Sequence, residues 1–170
     1  YTPESYFVFD STTGTITGYT GYNAVGGLDV VIPPTIGGVP VEHIGVNAFF
    51  DFISTTNITS VVIPYGVTTI GDSAFCYNSL VSATIPSSVT SIGFMAFNGN
   101  KLSSIDIPDS VINLGDQAFC DNKLTSIDIP GYLTYIGPNT FADNFITEVT
   151  IPNLVVTIGA AAFAGSSIPA

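Results

Sequence analysis

The fold is decided by LSSIDIPDSVINLGDQAFCDNK, residues 102–123, and by LTSIDIPGYLTYIGPNTFADNF, residues 124–145, which follows it directly. Both stretches are 22 residues long, and both begin with Leu-x-Ser-Ile-Asp-Ile-Pro. The Ile-Pro pair recurs at this spacing at Ile63-Pro64, Ile85-Pro86, Ile107-Pro108, Ile129-Pro130 and Ile151-Pro152. A fixed period of this length indicates a chain built from stacked repeats.

Two more columns of side chains keep the same period. An Ile-Gly or Leu-Gly pair occurs at Ile70-Gly71, Ile92-Gly93, Leu114-Gly115, Ile136-Gly137 and Ile158-Gly159, and a phenylalanine at Phe75, Phe97, Phe119, Phe141 and Phe163. An earlier, less regular repeat contains Ile32-Pro33, Ile44-Gly45 and Ala48-Phe49. Its Ile-Pro pair precedes the next one by 31 residues, which indicates nine inserted residues.

Each repeat carries signals for a strand, a tight corner and a return segment. Apolar and polar residues alternate from Ile105 to Ile107, as in a half-buried strand, and Pro108 ends the strand because it has no N–H to donate. The glycine of the Ile-Gly pair is expected to permit a positive φ at the corner. The Ala-Phe pair is expected in a short helical turn, which Pro138 would start in one repeat.

A repeat of this length cannot bury its apolar face alone, so the Leu, Ile and Phe columns are expected to form one continuous core. We predict a solenoid of mostly parallel β structure with short helical turns. It would wind as a right-handed superhelix of six rungs of about 22 residues, preceded by an N-terminal β cap.

The whole chain, 1–170, is predicted to be a single domain. Residues 1–28 form an N-terminal β-hairpin cap, in which 6–9 and 15–19 pair around the turn 11–14, and residues 29–170 contain the repeats. A new strand is expected to begin at Ser167 and Ile168, with no polar cap after it. We therefore expect the solenoid to be open at its C-terminal end and to continue into the remaining domains of a longer parent chain.

Asparagine forms a further column, and two interpretations of it are open. In the first, each amide bonds backbone groups of the neighbouring repeat and forms a ladder. In the second, the asparagines are surface turn residues. The constant spacing favours the ladder, whose members would be Asn78, Asn100, Asn122 and Asn144.

At these columns the sequence resembles the BspA-like, Treponema-type leucine-rich-repeat surface proteins. Units of that family read Leu-Thr-Ser-Ile-x-Ile-Pro and then Ser-Val-Thr-x-Ile-Gly-x-x-Ala-Phe, which residues 124–130 and 88–97 match. Leu114 in place of isoleucine and Thr140 in place of alanine depart from this pattern. The resemblance implies a leucine-rich-repeat solenoid in a secreted or cell-surface, often bacterial, extracellular protein. It also implies adhesion to a host or neighbouring-cell protein or glycan, with no shared catalytic residues.

Composition argues against several classes of partner. The two cations, Lys101 and Lys123, stand against 13 carboxylates, and the formal net charge is −11. Nucleic acid and anionic lipid both rely on Lys or Arg to neutralise phosphates, so neither is expected to bind. No apolar run approaches the roughly 20 residues of a membrane span, so direct membrane insertion is not expected.

Side chains suited to chemistry are few. Cys76 and Cys120 lie two repeats apart, which is too far for a disulfide if repeats stack about 4.8 Å apart, so both are expected to be free. His43 is expected to be an ordinary loop residue, because no motif places a nucleophile or a second metal ligand beside it. We therefore predict no enzyme activity, no catalytic residues and no cofactor.

The alternation within each strand identifies the side chains that point away from the core. The candidate ligand-binding residues on this side are Ser60, Ser82, Thr84, Ser104, Asp106, Ser126, Asp128, Glu148 and Thr150. Asp106 and Asp128 occupy equivalent positions, at a spacing where like charges repel unless solvent or a cation screens them. A solvated acidic stripe is favoured, and a calcium site completed by neighbouring serine and glutamate oxygens is the alternative.

Repeat proteins commonly bind partners on such an extended sheet, so we predict a non-catalytic binding or adhesion module that presents this polar, acidic side. A structural spacer or stalk supporting another domain is the alternative. Flat rows of Ser and Thr would also suit ice binding, but Asp106 and Asp128 interrupt those rows.

Overall fold

In the computed structural model, the described residues are 1–21, 28–50 and 58–168. They contain one 3-10 helix, Glu4–Tyr6, and fifteen short strands. The strands are β1 Phe7–Asp10, β2 Thr15–Tyr19, β3 Leu28–Val31, β4 Thr35–Ile36, β5 Val39–Pro40, β6 His43–Ile44, β7 Ile58–Val62, β8 Thr69–Ile70, β9 Ser82–Thr84, β10 Ser91–Ile92, β11 Asn113–Leu114, β12 Ile127–Asp128, β13 Tyr135–Ile136, β14 Val149–Thr150 and β15 Thr157–Ile158.

The strands that lead into the Ile-Pro pairs form what we call the first ladder. It consists of a three-stranded parallel sheet, β3-β7-β9, and a separate parallel pair, β12-β14. Partners are 22 residues apart between β7 and β9, as Ser60 and Ser82 are, and 31 residues apart over most of β3 and β7, which span the insertion. The strand predicted at 105–107 is absent, and residues 102–108 lie outside any strand. This interruption coincides with the equivalent carboxylates Asp106 and Asp128, whose like charges oppose close pairing.

The strands that lead into the Ile-Gly pairs form the second ladder. β1 and β2 make an antiparallel hairpin, and β2 then pairs in parallel with β6, which places Ile16 beside Ile44. The same sheet continues through β8 and β10 to β11, so that Ile92 lies between Ile70 and Leu114. β13 pairs with β15 in a different sheet, so the second ladder is interrupted between β11 and β13.

Between the two ladders lies one continuous cluster of buried apolar side chains. Its centre is the phenylalanine column, in which successive rings stack nearly parallel. Phe97 and Phe119, for example, have ring centroids 5.3 Å apart and planes 3° apart. The stack runs from Phe49 to Phe163, and Tyr19 of the hairpin meets Phe49 at 5.3 Å. Stacked aromatic rings add to the stability that burial alone gives, so this column links the packing of successive repeats.

The return segment of each repeat is a series of turns, and the predicted short helical turn is not formed. Met95 and Gln117 have φ of 54° and 58°, in the left-handed region that a right-handed helix excludes. The N–H of Phe75 donates to the carbonyl of Ala96 in the next repeat at 2.8 Å. The return segments therefore bond to one another across repeats.

Pro138 does not begin a helical turn. It is followed by Asn139 at φ 53°, and the N–H of Thr140 bonds weakly back to the carbonyl of Gly137 at 3.4 Å. Proline followed by a residue of positive φ is the arrangement of a type II turn, which proline favours because its ring fixes φ.

The corner glycines have a different role from the one predicted. None of the glycines at positions 71, 93, 115, 137 and 159 has a positive φ. A Cβ on Gly71 would instead lie 2.8 Å from the backbone of Gly45 and Val46, and a Cβ on Gly115 would collide with the backbone of Gly93. Glycine is required at most of this column because successive backbones approach too closely for any side chain, and at Gly137 because the Asp116 side chain occupies the space.

The asparagine ladder is confirmed. The Oδ1 atom of Asn122 accepts the N–H of Leu102 at 3.1 Å, and its Nδ2 donates to the carbonyls of Phe97 and Phe119 at 2.9 and 3.3 Å. Asn78, Asn100 and Asn144 bond in the same manner. Ser166 stands at the next position of the column, and its buried Oγ bonds to no group in the described part of the chain.

Some of the nine inserted residues form a small hairpin in the first repeat. β4 and β5 pair antiparallel around Gly37 and Gly38, whose φ values of 58° and 81° suit the tight two-residue turn that joins them. The rest of the insertion falls after Phe49, where residues 51–57 lie outside the described part of the chain.

The phenylalanine column predicts a large difference between two phenylalanines. Phe119 is fully buried, whereas Phe94 is 42% exposed. Phe119→Ala should lower the free energy of unfolding by about 3 to 5 kcal/mol because it empties a buried aromatic site. Phe94→Ala should cost far less, and equal shifts in urea melts of the two variants would contradict this packing.

Removing one amide from the asparagine ladder should also be costly. Asn122→Ala leaves the buried N–H of Leu102 without a partner and removes one of the two amide donors from the carbonyls of Phe97 and Phe119, so it should destabilise the fold by about 1 to 3 kcal/mol. The exposed Asn113 provides the same substitution without those bonds, so Asn113→Ala should be close to neutral in thermal melts. A neutral Asn122→Ala would rule out a structural ladder.

The corner glycines can be tested in the same manner. Gly115→Ala should destabilise by about 1 to 3 kcal/mol because the new methyl group forces two repeats apart. Gly131 has no positive φ, and its nearest neighbour, Asp109 Oδ1, would be 3.7 Å from a Cβ, so Gly131→Ala should be neutral or slightly stabilising. Chemical denaturation of both variants would show equal stabilities if close approach were unimportant.

Candidate ligand-binding face

The candidate residues lie along the outward side of the first ladder, which we call the strand face. Ser60 belongs to β7, Ser82 and Thr84 to β9, Asp128 to β12 and Thr150 to β14. The others fall outside strands; they are Ser104, Asp106, Ser126 and Glu148. All nine side chains except the half-buried Ser60 are exposed.

Two shallow depressions adjoin each other on this face. One, of about 300 Å³, lies between residues 104–106 and 126–128, and the other, of about 370 Å³, lies between 126–128 and 148–150. Both are lined by residues 126–128, so the two depressions lie side by side over three repeats, and we call them together the trough. The trough brings Asp106, Asp128 and Glu148 to the same surface.

Asp29 is a residue of this face that sequence reasoning missed. It pairs with Ser60 in the parallel register of β3 and β7, and the Ser60 hydroxyl donates to its Oδ1 at 2.6 Å. The hydroxyl of Thr59 donates to the same oxygen at 3.3 Å. Alignment of Ile32-Pro33 with Ile63-Pro64 would have identified Asp29, because both it and Ser60 stand three residues before the isoleucine.

The acidic side chains are distributed along the face. Within residues 1–21, 28–50 and 58–168, no three His, Cys, Asp or Glu side chains gather closely enough to hold a metal ion. The face can therefore attract cations over its length, and its serine and threonine hydroxyls can donate and accept hydrogen bonds.

His43 is not the loop residue predicted. It lies in β6, paired with Thr15 on one side and Thr69 on the other, and its Nδ1 is 2.7 Å from the Thr69 hydroxyl oxygen. The imidazole is thus held within the second ladder, far along the chain from the trough.

The two cysteines are free, as predicted. Burial raises the pKa of the Cys76 thiol to about 11 and also raises the pKa of Cys120. Both thiols are therefore protonated at neutral pH, which makes them poor nucleophiles.

No helix in the described ranges is both long enough and apolar enough to cross a bilayer.

Comparison with known proteins identifies the repeat. A family described as BspA type leucine rich repeat region matches residues 41–169 in six copies. No curated protein sequence is significantly similar to the chain.

Several solved structures share the fold. The leucine rich repeat protein of T. pallidum superposes with a TM-score of 0.70 at 24% identity, covering 99% of this chain and 90% of its own. The pneumococcal vaccine antigen PcpA gives 0.69 at 21% identity, covering 89% of this chain and 40% of its own. A leucine-rich repeat protein of Eubacterium ventriosum gives 0.55 at 34% identity, covering 59% of this chain and 27% of its own.

The fold agrees with these neighbours, and the family match extends over well more than half of the sequence. The chain therefore belongs to the BspA-type leucine-rich-repeat family.

Proposed function

We propose that the chain is a non-catalytic binding module of a secreted or cell-surface protein, and that it presents its strand face to a protein or glycan partner. The observation that carries this proposal is the trough, two adjoining depressions over three repeats, with Asp106, Asp128 and Glu148 exposed along it. Exposed carboxylates in such an arrangement attract a cationic partner, or one bridged through a cation.

The family supports the same conclusion. BspA-type repeat proteins are generally non-catalytic and are generally secreted or surface-exposed. We further propose that the six repeats wind as a right-handed solenoid, since crossovers between parallel strands are almost always right-handed. A solenoid presents equivalent side chains in rows, which suits an extended protein or glycan better than a small molecule.

A spacer or stalk is the second candidate function. The observation that favours it is the continuous linkage between repeats through stacked rings and asparagine bonds, which gives a stiff core whatever its surface binds. The spacer requires no ligand, so binding experiments separate the two proposals.

The binding proposal predicts an electrostatic effect on the association rate. A glycan array and a panel of extracellular proteins would first provide a partner that binds saturably. Asp106→Asn combined with Asp128→Asn should then slow association by about three- to tenfold at low ionic strength, with a smaller change in dissociation. Raising the salt should reduce the wild-type rate in the same direction.

The matched control is Asp121→Asn combined with Asp143→Asn, which removes the same charge from two exposed turn residues off the strand face. This control should associate nearly as fast as the wild type. Equal rates for the wild type and the Asp106 and Asp128 variant would exclude the strand face as the site. If no partner binds saturably, the spacer is favoured, and the Asp106 and Asp128 variant should be slightly more stable than the wild type because a repulsion is removed.

A further inference from the structure

A groove on the second ladder is a separate surface feature. It has a volume of about 320 Å³ and lies where strand pairing stops between β11 and β13. Phe94, Ile112 and Tyr135 line it, together with Gly93 and Gly115, which present backbone alone. Polar side chains complete the lining, namely Asp72, Ser91, Asn113 and Thr134, so the groove combines large apolar side chains with backbone and polar groups.

The apolar residues of the groove are exposed at positions where most equivalent residues of the other repeats are polar, the exceptions being Val46, Pro138, Val156 and Ala160. Phe94 is 42% exposed, Ile112 55% and Tyr135 43%. Most equivalent positions in the other repeats hold small polar or acidic residues: Thr68, Thr90 and Thr134 in the column of Ile112, Thr69, Ser91, Asn113 and Thr157 in that of Tyr135, and Asp72 and Asp116 in that of Phe94. Large apolar side chains gathered in this way mark an interaction surface.

Carboxylates stand on both sides of Phe94. Asp72 and Asp116 occupy its column one repeat before and one repeat after it. The Asp72 Oδ1 accepts the backbone N–H of Phe94 at 2.8 Å, which holds the carboxylate beside that residue. An aromatic ring next to a carboxylate binds a cation through both the ring and the charge.

A contact between a cation and an aromatic ring is present within the chain itself. The Lys123 ammonium lies 5.2 Å from the ring centroid of Phe145, which is at the equivalent position in the next repeat. Lys101 and Lys123, the two cations of the chain, both stand in the column of Phe145. In each repeat this column comes seven residues after the column of Phe94. A cation for Phe94 must therefore come from a partner.

We propose that this groove docks a segment of a partner protein in which a lysine or arginine is adjacent to an apolar side chain. The cationic group lies over Phe94 beside Asp72, with Asp116 adding negative charge from the next repeat, and the apolar side chain packs against Ile112 and Tyr135. The net charge of −11 adds long-range attraction for such a segment. This site is independent of the strand face, because it belongs to the other ladder.

Charge complementarity favours this occupant over two others. A second copy of the chain would bring a further −11 charge toward Asp72 and Asp116. A neutral glycan would leave both carboxylates without a counter-charge. Each of these occupants gives its own result in the experiment.

The test is a nuclear magnetic resonance titration of the whole chain with two peptides of equal length, acetyl-Leu-Arg-Leu-Arg-amide and acetyl-Leu-Gln-Leu-Gln-amide. The arginine peptide should cause saturable amide shifts at Gly93, Phe94, Ile112 and Tyr135, and the glutamine peptide should bind about five- to tenfold more weakly. Binding of the arginine peptide should weaken by a similar factor in two variants, Phe94→Ala and the double variant Asp72→Asn with Asp116→Asn. Asparagine keeps an oxygen that can accept the Phe94 N–H, so the second variant preserves that local bond.

The variant with Asp121→Asn and Asp143→Asn, which lie outside both the groove and the strand face, is the control and should bind the arginine peptide as the wild type does. Equal binding of both peptides, shifts concentrated on the strand face, or no saturable shifts would overturn the proposal. Saturable shifts of the groove amides with cellotetraose would assign it to a neutral glycan instead. A concentration-dependent dimer in light scattering that disappears in Phe94→Ala would assign it to a second copy.

Discussion

A repeat of 22 residues has few backbone partners within itself, so its N–H and C=O groups must be satisfied by the repeats before and after it. The N–H of Gly93 donates to Ile70 in the preceding repeat, and the N–H of Phe97 donates to Ala118 in the following one, both at 2.8 Å. This requirement brings successive backbones close together. Close approach in turn excludes side chains at the corner glycines and stacks the phenylalanine rings.

The period of the sequence predicted which residues are equivalent, and with them the buried columns, the asparagine ladder and the free cysteines. It did not predict the backbone geometry that connects them. A glycine needed for a positive φ and a glycine needed for close approach have the same signature in a sequence, which is why the corner glycines were misinterpreted. Residues such as Met95 and Gln117 give no local sign of a left-handed conformation, so the return segment resembled a helical turn.

Most residues of the strand face could also be predicted from the sequence. Alternation within the repeats identified outward positions, and their exposure in the structure agrees, although Asp29 required alignment of the irregular first repeat. The groove beside Phe94 was beyond such reasoning, because it depends on where strand pairing stops. Leu114 and Ile136 occupy equivalent positions, yet their strands belong to different sheets. The two ladders thus differ in surface chemistry: the first is polar and acidic, and the second carries a local groove in which aromatic and apolar side chains have acidic neighbours.

The asparagine bonds have a consequence for how such a chain changes over generations. Each amide joins its own repeat to the preceding one in the same manner, so loss or duplication of a whole 22-residue unit leaves every remaining bond with an equivalent partner. A shorter insertion has no such partner and has to be accommodated in a loop, as the β4-β5 hairpin does in the first repeat. Recombination between equivalent units can therefore change the length of the molecule in whole steps, while point mutations at its outer positions change its surface and leave the bonds between repeats intact.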